Sequence, residues 1–293
     1  MKISVILWNR GDATALKRCI NSLLAARGGD QIEIVAAVHP PVIKEEISTA
    51  ANVTILNIEE RANHAMLRAH AMAAASGAWF FFTEPYCTFP EDFIDHLRSG
   101  VQMEADIIGG GVAVANETSA IGWATALFEF APFMSPCGET GKVGVTTNNV
   151  MIRRKLLDHA SQWLRDGFWK YFFVEFARQN GAKVSQQPER IVFHRPPYKF
   201  GIFLRRTFHH ARVFVSMRNK DRSFFQRFTR ALCFAGVPIV MYGRVLRTAW
   251  DKDALTMRVL LLAPYLLCMY VAWALGEVCG LLAGPGISLV EVY

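Results

Sequence analysis

The sequence predicts an α/β domain with a mostly parallel central sheet, followed by amphipathic and transmembrane helices. Three observations carry this reading. Strand-length apolar runs alternate with helix-period segments up to the quoted stretch "WFFFTEPYCTFPEDF". A belt of arginines and phenylalanines then runs from Arg195 to Arg230. Beyond it lies "VLLLAPYLLCMYVAWALG", residues 259–276, without a single charge.

The opening "KISVILW" is a continuous apolar run, as expected of a strand buried on both faces. Asp12 offers an N-cap, Leu16, Cys19, Ile20, Leu23 and Leu24 recur at helical spacing, and Gly28 and Gly29 stop the helix. "QIEIVAAV" reads as a second strand, "VIKEEISTAA" as a short helix and "VTILNI" as a third strand. "HAMLRAHAMAAAS" is an alanine-rich helix closed by Gly77, and "WFFF" is the fourth strand. Alternation of this kind argues for a parallel sheet with helices on both faces. Further on, "DIIGGGVAV" and "VGVTTNNVMI" read as strands, and "RKLLDHASQW" and "FWKYFFVEFARQNG" as helices.

Pro196 and Pro197 end the regular pattern, so the α/β domain is placed at 1–195. From 196 to 230 the chain is basic and amphipathic. Phe200, Phe203, Leu204, Phe208, Ala211 and Val215 recur at helical spacing among Arg205, Arg206 and Arg212. A second cluster sets Phe224, Phe225 and Phe228 among Arg222, Arg227 and Arg230. Such helices lie in the lipid headgroup layer with their cations on phosphates. From 231 to 293 a hydrophobic, membrane-anchoring tail is expected. "ALCFAGVPIVMY" is too short to span a bilayer, whereas 259–276 with the "LLAG" beyond it is long enough, kinked at Pro264. Arg244, Arg247, Lys252 and Arg258 precede that segment and no Lys or Arg follows it, which puts the N-terminal domain on the cytoplasmic side. A buried core helix is the competing reading of the same residues.

Composition bounds the function classes. The chain is 52% hydrophobic and only 19% charged, apolar for a soluble protein. "MKISVILWNR" breaks its apolar run too early for a secretory leader. The six cysteines have no metal-site spacing and suit reduced thiols. The net charge of +7 is concentrated in the belt, which carries ten Lys/Arg against one acid, Asp221. No nucleic-acid-binding module surrounds that belt and a lipid-like segment adjoins it, so lipid rather than nucleic acid is its expected partner. A dinucleotide-dependent oxidoreductase is disfavoured, because "NRGDATA" after the first strand lacks a Gly-rich turn.

In parallel α/β sheets, ligands bind beyond the carboxyl ends of the strands. Trp8, Asn9 and Arg10, His39, and Thr83 with Glu84 occupy those ends. A buried strand that runs into a lone acid commonly serves a metal, yet one carboxylate holds a divalent cation poorly. Glu91 and Asp92 follow a proline and read as helix-start charges, and Glu175 as a solvated helix acid. Glu139, in "SPCGETGK", stands in a Gly-bearing loop where an acceptor could pass. The run Gly109, Gly110, Gly111 precedes no helix start and reads as a strand bend rather than a phosphate cradle.

The order of these elements resembles glycosyltransferase family 2, whose catalytic domain has the GT-A fold. "ISVILWNR…LKRCINSLLA" resembles the family's opening strand and helix, and "LRAHAMAAASGAWFFFTEP" its Arg-containing helix, Gly turn and strand into the metal motif. "TTNNVMIRRKLL" resembles its acceptor-side segment, and "WKYFFVEFARQNGAKV…IVFH" its late helix and the strand ending in His. The resemblance implies a membrane-associated enzyme that moves a sugar from a nucleotide-sugar to a lipid-linked or membrane-proximal acceptor. It implies a divalent cation, Mg²⁺ or Mn²⁺, at Glu84, donor contacts from Trp8, Asn9, Arg10, His39, Arg68 and Thr83, and an acceptor side at Asn148, Asn149, Lys170 and His194.

The chain departs from the family at costly positions. Val38 and His39 stand where a base-reading Asp belongs, Tyr86 where the second metal carboxylate belongs, and Lys170 close to the general base. A lysine acts as a base only if its pKa is strongly depressed. The alternative is therefore a catalytically inactive relative that keeps the fold as a membrane scaffold or partner-binding subunit. Each residue has a bland reading beside the functional one. Arg68 is a phosphate contact or a salt-bridge arginine, Asn9 a ribose contact or a turn former, Asn148 and Asn149 acceptor contacts or a bend, and His194 a diphosphate contact or a structural histidine.

Overall fold

The computed structural model describes residues 2–116, 118–134, 144–157, 167–196, 199–250 and 252–291. The chain divides into two compact units, one of residues 1–115 and 133–195, the other of 116–132 and 196–293. This differs from the expected division in two ways. Residues 116–132 leave the sheet-bearing unit for the other, and 196–293 form one unit instead of a belt and a separate tail.

Among the described residues, the first unit has eight strands: β1 (Ile3–Asn9), β2 (Glu33–Val38), β3 (Val53–Asn57), β4 (Trp79–Phe82), β5 (Cys87–Thr88), β6 (Ile107–Val114), β7 (Val150–Arg153) and β8 (Val184–His194). They lie in the order β3-β2-β1-β4-β7-β6-β8-β5. β3, β2, β1 and β4 run parallel, as do β6 and β8, while β7 runs antiparallel between β4 and β6. All seven residues of β1 and all four of β4 are buried, which is why neither alternates in polarity. Trp8, Phe80, Phe82, Leu67, Phe168 and Phe173 belong to one core cluster on the face covered by helices His64–Ala74 and Lys170–Gln179.

Local sequence sets the helix ends. Asp12 accepts a hydrogen bond from the Ala15 N–H at 2.9 Å and starts helix Ala13–Ala25. The Asn63 side chain accepts from the N–H groups of Ala65 and Met66 and starts helix His64–Ala74. The expected helix in "VIKEEISTAA" shrinks to Lys44–Ile47, and the "RKLLDHASQW" helix is described only over Arg154–Leu157. Two elements had no sequence signal. β5 is a two-residue strand that pairs antiparallel with the end of β8, and helix Ala120–Phe130 is apolar almost all round.

The glycines of β6 do lie at an irregularity: the β6–β8 register shifts between Gly110 and Gly111. A Cβ at Gly110 would stand 2.3 Å from the Asn149 amide. Asn149 is held there by donating to the carbonyls of Gly111 and Arg190 at 2.8 and 2.7 Å, and it accepts from Arg190 Nε at 3.0 Å. Buried Arg190 also donates to the Ile108 carbonyl at 2.8 Å, and burial lowers its pKa to about 9. The glycine run is thus a packing device around a buried arginine.

In the second unit, helix Phe200–Arg218 packs on helix Ala263–Ala283. Phe203, Thr207, Ala211 and Val215, spaced by four, form the buried row of the first helix. Gly276 and Gly280 of the second let the backbones approach. A Cβ at Gly276 would stand 2.3 Å from the Phe208 carbonyl oxygen, and one at Gly280 would stand 2.4 Å from that of Arg212. The Ser216 hydroxyl donates across this seam to the Gly280 carbonyl at 3.0 Å. Phe128 stacks on Tyr270 at 4.9 Å and meets Phe203 edge-on, seating helix Ala120–Phe130 in the same unit.

Among the described residues, two helical runs are long and apolar enough to cross a membrane: Phe224–Trp250, 27 residues with mean hydropathy 1.2, and Ala263–Ala283, 21 residues with mean hydropathy 1.8. The first corrects the expectation that "ALCFAGVPIVMY" is too short, because flanking residues extend its helix on both sides. The second begins at Ala263 rather than at 259, since helix Asp253–Leu261 ends separately. Pro264 sits in the first turn, where its missing N–H is no loss, so it starts the helix and does not kink it. Leu267, Val271, Leu275 and Leu282 form an exposed apolar stripe opposite the glycine seam.

Candidate functional site

The site forms where the chain leaves β4. Phe82 ends the strand, Thr83 is held by its N–H on the Ile6 carbonyl at 3.3 Å, and a turn closes from the Cys87 N–H to the Glu84 carbonyl at 3.1 Å. The chain then pairs β5 against β8, setting Cys87 opposite His194. That pairing brings His194 Nε2 to 3.8 Å from Glu84 Oε2. Tyr86 meets the His194 ring edge-on with centroids 6.4 Å apart, and its carbonyl accepts from the Arg195 N–H at 2.9 Å. Glu84 is 8% exposed, so the carboxylate is largely enclosed with a small opening to the surface.

Two cations close on this acid from the helical layer. Arg68 projects from helix His64–Ala74 and donates from Nη1 to the Phe168 carbonyl at 2.7 Å. Its Nε is buried without a hydrogen-bond partner. Lys170 opens helix Lys170–Gln179; it is 3% exposed, and its Nζ has no hydrogen-bond partner. The amine stands over the Phe82 ring, 5.5 Å from its centroid. Gly167 makes the arrangement possible. Its φ is +90°, and a Cβ there would lie 2.8 Å from the Met66 N–H nitrogen, so only glycine lets this segment press onto helix His64–Ala74. The Phe168 N–H then bonds the Ala65 carbonyl at 2.8 Å and carries Lys170 beside Arg68.

The electrostatics follow from burial and crowding. Burial, with the Arg68 guanidinium adding to it, pushes the Lys170 amine well below the usual lysine range, and Glu84 and Cys87 only partly restore it. Burial lowers Arg68 to about 10 against the pull of Glu84. Burial and the Glu84 charge push the Cys87 thiol up to about 12, so it is a neutral neighbour and no nucleophile. Four side chains from four segments thus interact around Glu84.

The remaining residues fall into groups. Trp8 and Asn9 are buried at the end of β1, with the indole N–H and the Asn9 Oδ1 lacking hydrogen-bond partners. The Trp8, His64 and Trp169 rings form a line, with centroid separations of 5.6 and 5.1 Å. Arg10 is half-buried. His39 is half-buried at the end of β2 and fixed by its ring Nδ1 on the Ile58 carbonyl at 2.9 Å, which fills a backbone role where a base-reading acid was missing. Asn148 is buried and accepts from the Thr146 hydroxyl at 2.7 Å, leaving its amide nitrogen without a partner. Asn149 is a correction: its bonds to Gly111 and Arg190 consume the amide, and the bend reading holds for it.

Among the described residues, the further acids weighed in the sequence pair with basic neighbours. Glu91 and Asp92 are exposed and pair with Arg27 and His96, and Glu175 pairs with Arg178 at 2.8 Å along its own helix. Glu139 lies outside the described residues. Of the arginines expected at lipid phosphate, Arg205 stays exposed while pairing with Glu291 at 3.2 Å, and Arg212 Nε donates to the Gly284 carbonyl at 2.8 Å. Between them His209 bonds Ser288, so residues 284–291 pack along this helix. Arg206 is half-buried on a different face.

Sequence reasoning missed Cys87, His64 and Trp169. For Cys87 the signal was there in "TEPYC", because a turn after Glu84 returns its third following residue to the acid. His64 and Trp169 carried none.

A divalent cation asks for several oxygen ligands. Among the described residues no group of three His, Cys, Asp or Glu is placed to hold a metal. The strand end supplies one carboxylate and the Tyr86 phenol, and two buried cationic side chains converge on that carboxylate. A site of this composition does not fit Mg²⁺ or Mn²⁺.

Comparison with solved structures places this architecture. The mannosyltransferase PcManGT from Pyrobaculum calidifontis, in complex with GDP-Man and Mn²⁺, aligns with TM-score 0.54 at 13% identity, covering 96% of this chain and 87% of that one. The chain has a GT-A-like glycosyltransferase fold. S. aureus TarS 1-349 aligns over 95% of this chain and 91% of its own, with TM-score 0.49 and 14% identity. No protein-family profile and no curated protein matches the sequence. The GT-A-like fold accounts for the mixed sheet and for polar residues gathered past the carboxyl ends of β1, β4 and β8.

Proposed function

We propose that the chain is a glycosyltransferase that binds a nucleotide-sugar at the carboxyl edge of the sheet and transfers the sugar to a lipid-linked or membrane-proximal acceptor. The observation that supports it is the convergence of Arg68, Lys170 and His194 on Glu84. This is a mixed-charge cluster at the end of β4, where a GT-A-like fold handles the donor.

In the reaction, an acceptor hydroxyl attacks the anomeric carbon as the bond from that carbon to the diphosphate oxygen breaks. The electron pair leaves with the nucleoside diphosphate, and the hydroxyl proton passes to a carboxylate. Glu84 takes that proton, oriented by His194. Trp8 and Asn9, with unused polar atoms at the end of β1, receive the base and ribose, and Asn148 faces the acceptor. The tail supports a membrane setting through its two span-length apolar helices, and the Arg and Lys preceding the second favour a cytoplasmic active site.

Calorimetry of the full chain in detergent with UDP-, GDP- and dTDP-sugars tests this, in Mn²⁺ and again in EDTA. One of them is expected to bind and to release nucleoside diphosphate slowly. Glu84→Gln is expected to keep donor affinity within about threefold and lower turnover by about 10²-fold or more. Binding of none, in either buffer, sinks the reading.

A second reading is favoured by one observation: Glu84 is 8% exposed and faces a histidine and two cations. In a non-catalytic scaffold that charge cluster would simply hold β4, β8 and the two helices together. Glu84→Gln would then lower the melting temperature and change no turnover.

A further inference from the structure

The misfit between this site and a divalent cation leads to a positive assignment. We propose that Lys170 and Arg68, and no metal ion, receive the diphosphate of the nucleotide beside Glu84. The inference rests on the glycosyltransferase reading and specifies its chemistry.

The geometry carries it. Lys170 Nζ is buried, has no hydrogen-bond partner, and lies over an aromatic face rather than an acid. Arg68 Nε is buried and likewise lacks a partner. Leaving such donors unmatched is costly, so buried cationic groups normally have anions. Among the described residues one carboxylate shares the cluster, and it already faces His194 at 3.8 Å. The unmatched atoms of Lys170 and Arg68 are both donors, the complement of phosphate oxygens. Lys170 also starts its helix with no side-chain cap on the N-terminal N–H groups, so the helix end adds partial positive charge at the same point.

A dication placed among these groups would be repelled by the Arg68 guanidinium and attracted by one carboxylate. A diphosphate, carrying two or more negative charges, offers acceptors to the open donors of Lys170 and Arg68.

The test uses full-length protein in detergent with UDP, GDP and dTDP as probes, titrated in excess EDTA and again in excess Mn²⁺. One nucleoside diphosphate is expected to bind with affinities within about threefold in the two buffers. Lys170→Met, which keeps side-chain length, is expected to lose at least about tenfold in diphosphate affinity while unfolding at or above the wild-type temperature. The matching nucleoside, without phosphates, should bind both proteins alike. Binding that requires Mn²⁺ overturns the inference and leaves the glycosyltransferase reading standing, as does a folded Lys170→Met that binds like wild type. If none of the three diphosphates binds in either buffer, the glycosyltransferase reading fails and takes the inference with it.

Discussion

Lys170 is a residue whose burial costs the fold stability. Its folded-state pKa lies well below the ordinary lysine value, first through burial and then through Arg68. Between those two pKa values the unfolded chain holds more protons than the folded one, so stability rises with pH through that window. Below it, the cost of burying the charged amine is present in full. Lys170→Met removes the cost. The variant is expected to be more stable at pH 7 by about 1–3 kcal/mol, with the difference shrinking as pH approaches about 10. Thermal unfolding of both proteins across pH 6 to 10 checks this; an unchanged or lower melting temperature for the variant at pH 7 would contradict it.

The acid at this site was legible in sequence, because "WFFF" runs straight into Glu84. Arg68 and Lys170 were named through the family resemblance, but their burial together beside Glu84 was not foreseen. Lys170 becomes buried only because Gly167 presses its segment onto helix His64–Ala74, a contact between residues a hundred positions apart in the chain. No local pattern reports a long-range approach of that kind.

Among elements, the seam between helices Phe200–Arg218 and Ala263–Ala283 has the most specific requirement. Gly276 and Gly280 face backbone carbonyls at distances that no side chain tolerates, whereas a Cβ at Gly243, in helix Val237–Trp250, meets nothing within 4 Å. Gly276→Leu is expected to cost about 1–3 kcal/mol or more through overpacking, while Gly243→Leu should be neutral or mildly stabilising. Differential scanning of the detergent-solubilised variants separates the two, and equal melting temperatures would show that the seam is loose.

The same comparison explains which elements could be read from sequence. β1, β2 and β4 are continuous apolar runs because both faces are covered, and the pattern shows it. The antiparallel direction of β7 has no local signature, since it depends on which neighbours the strand meets. Helix Ala120–Phe130 escaped notice because its apolar residues lie on most sides, which weakens the helical period. The basic belt was read as one surface element, yet Phe200–Arg218 turns its aliphatic row inward. Helix Phe224–Ala231, capped by Ser223 and Gln226, leaves Phe224, Phe225 and Phe228 exposed among arginines. That second helix has the composition expected at a headgroup layer.

For the molecule as a whole, two span-length helices and the exposed row Phe224, Phe225, Phe228, Leu232 and Ile239 point to a lipid environment. Membranes from cells making the chain are expected to retain it through extraction with alkaline carbonate. Its release into the supernatant as dispersed protein would show that these helices are covered by protein instead.

The path of the chain has a further consequence. After β6 it crosses into the second unit for residues 116–132 and then returns to complete the sheet. The halves are therefore stitched, not strung end to end. Trimming at Arg195 would not yield a self-contained piece. It would leave Phe128 and Trp123 on an orphaned helix, stripped of the Tyr270 and Arg258 that shelter them.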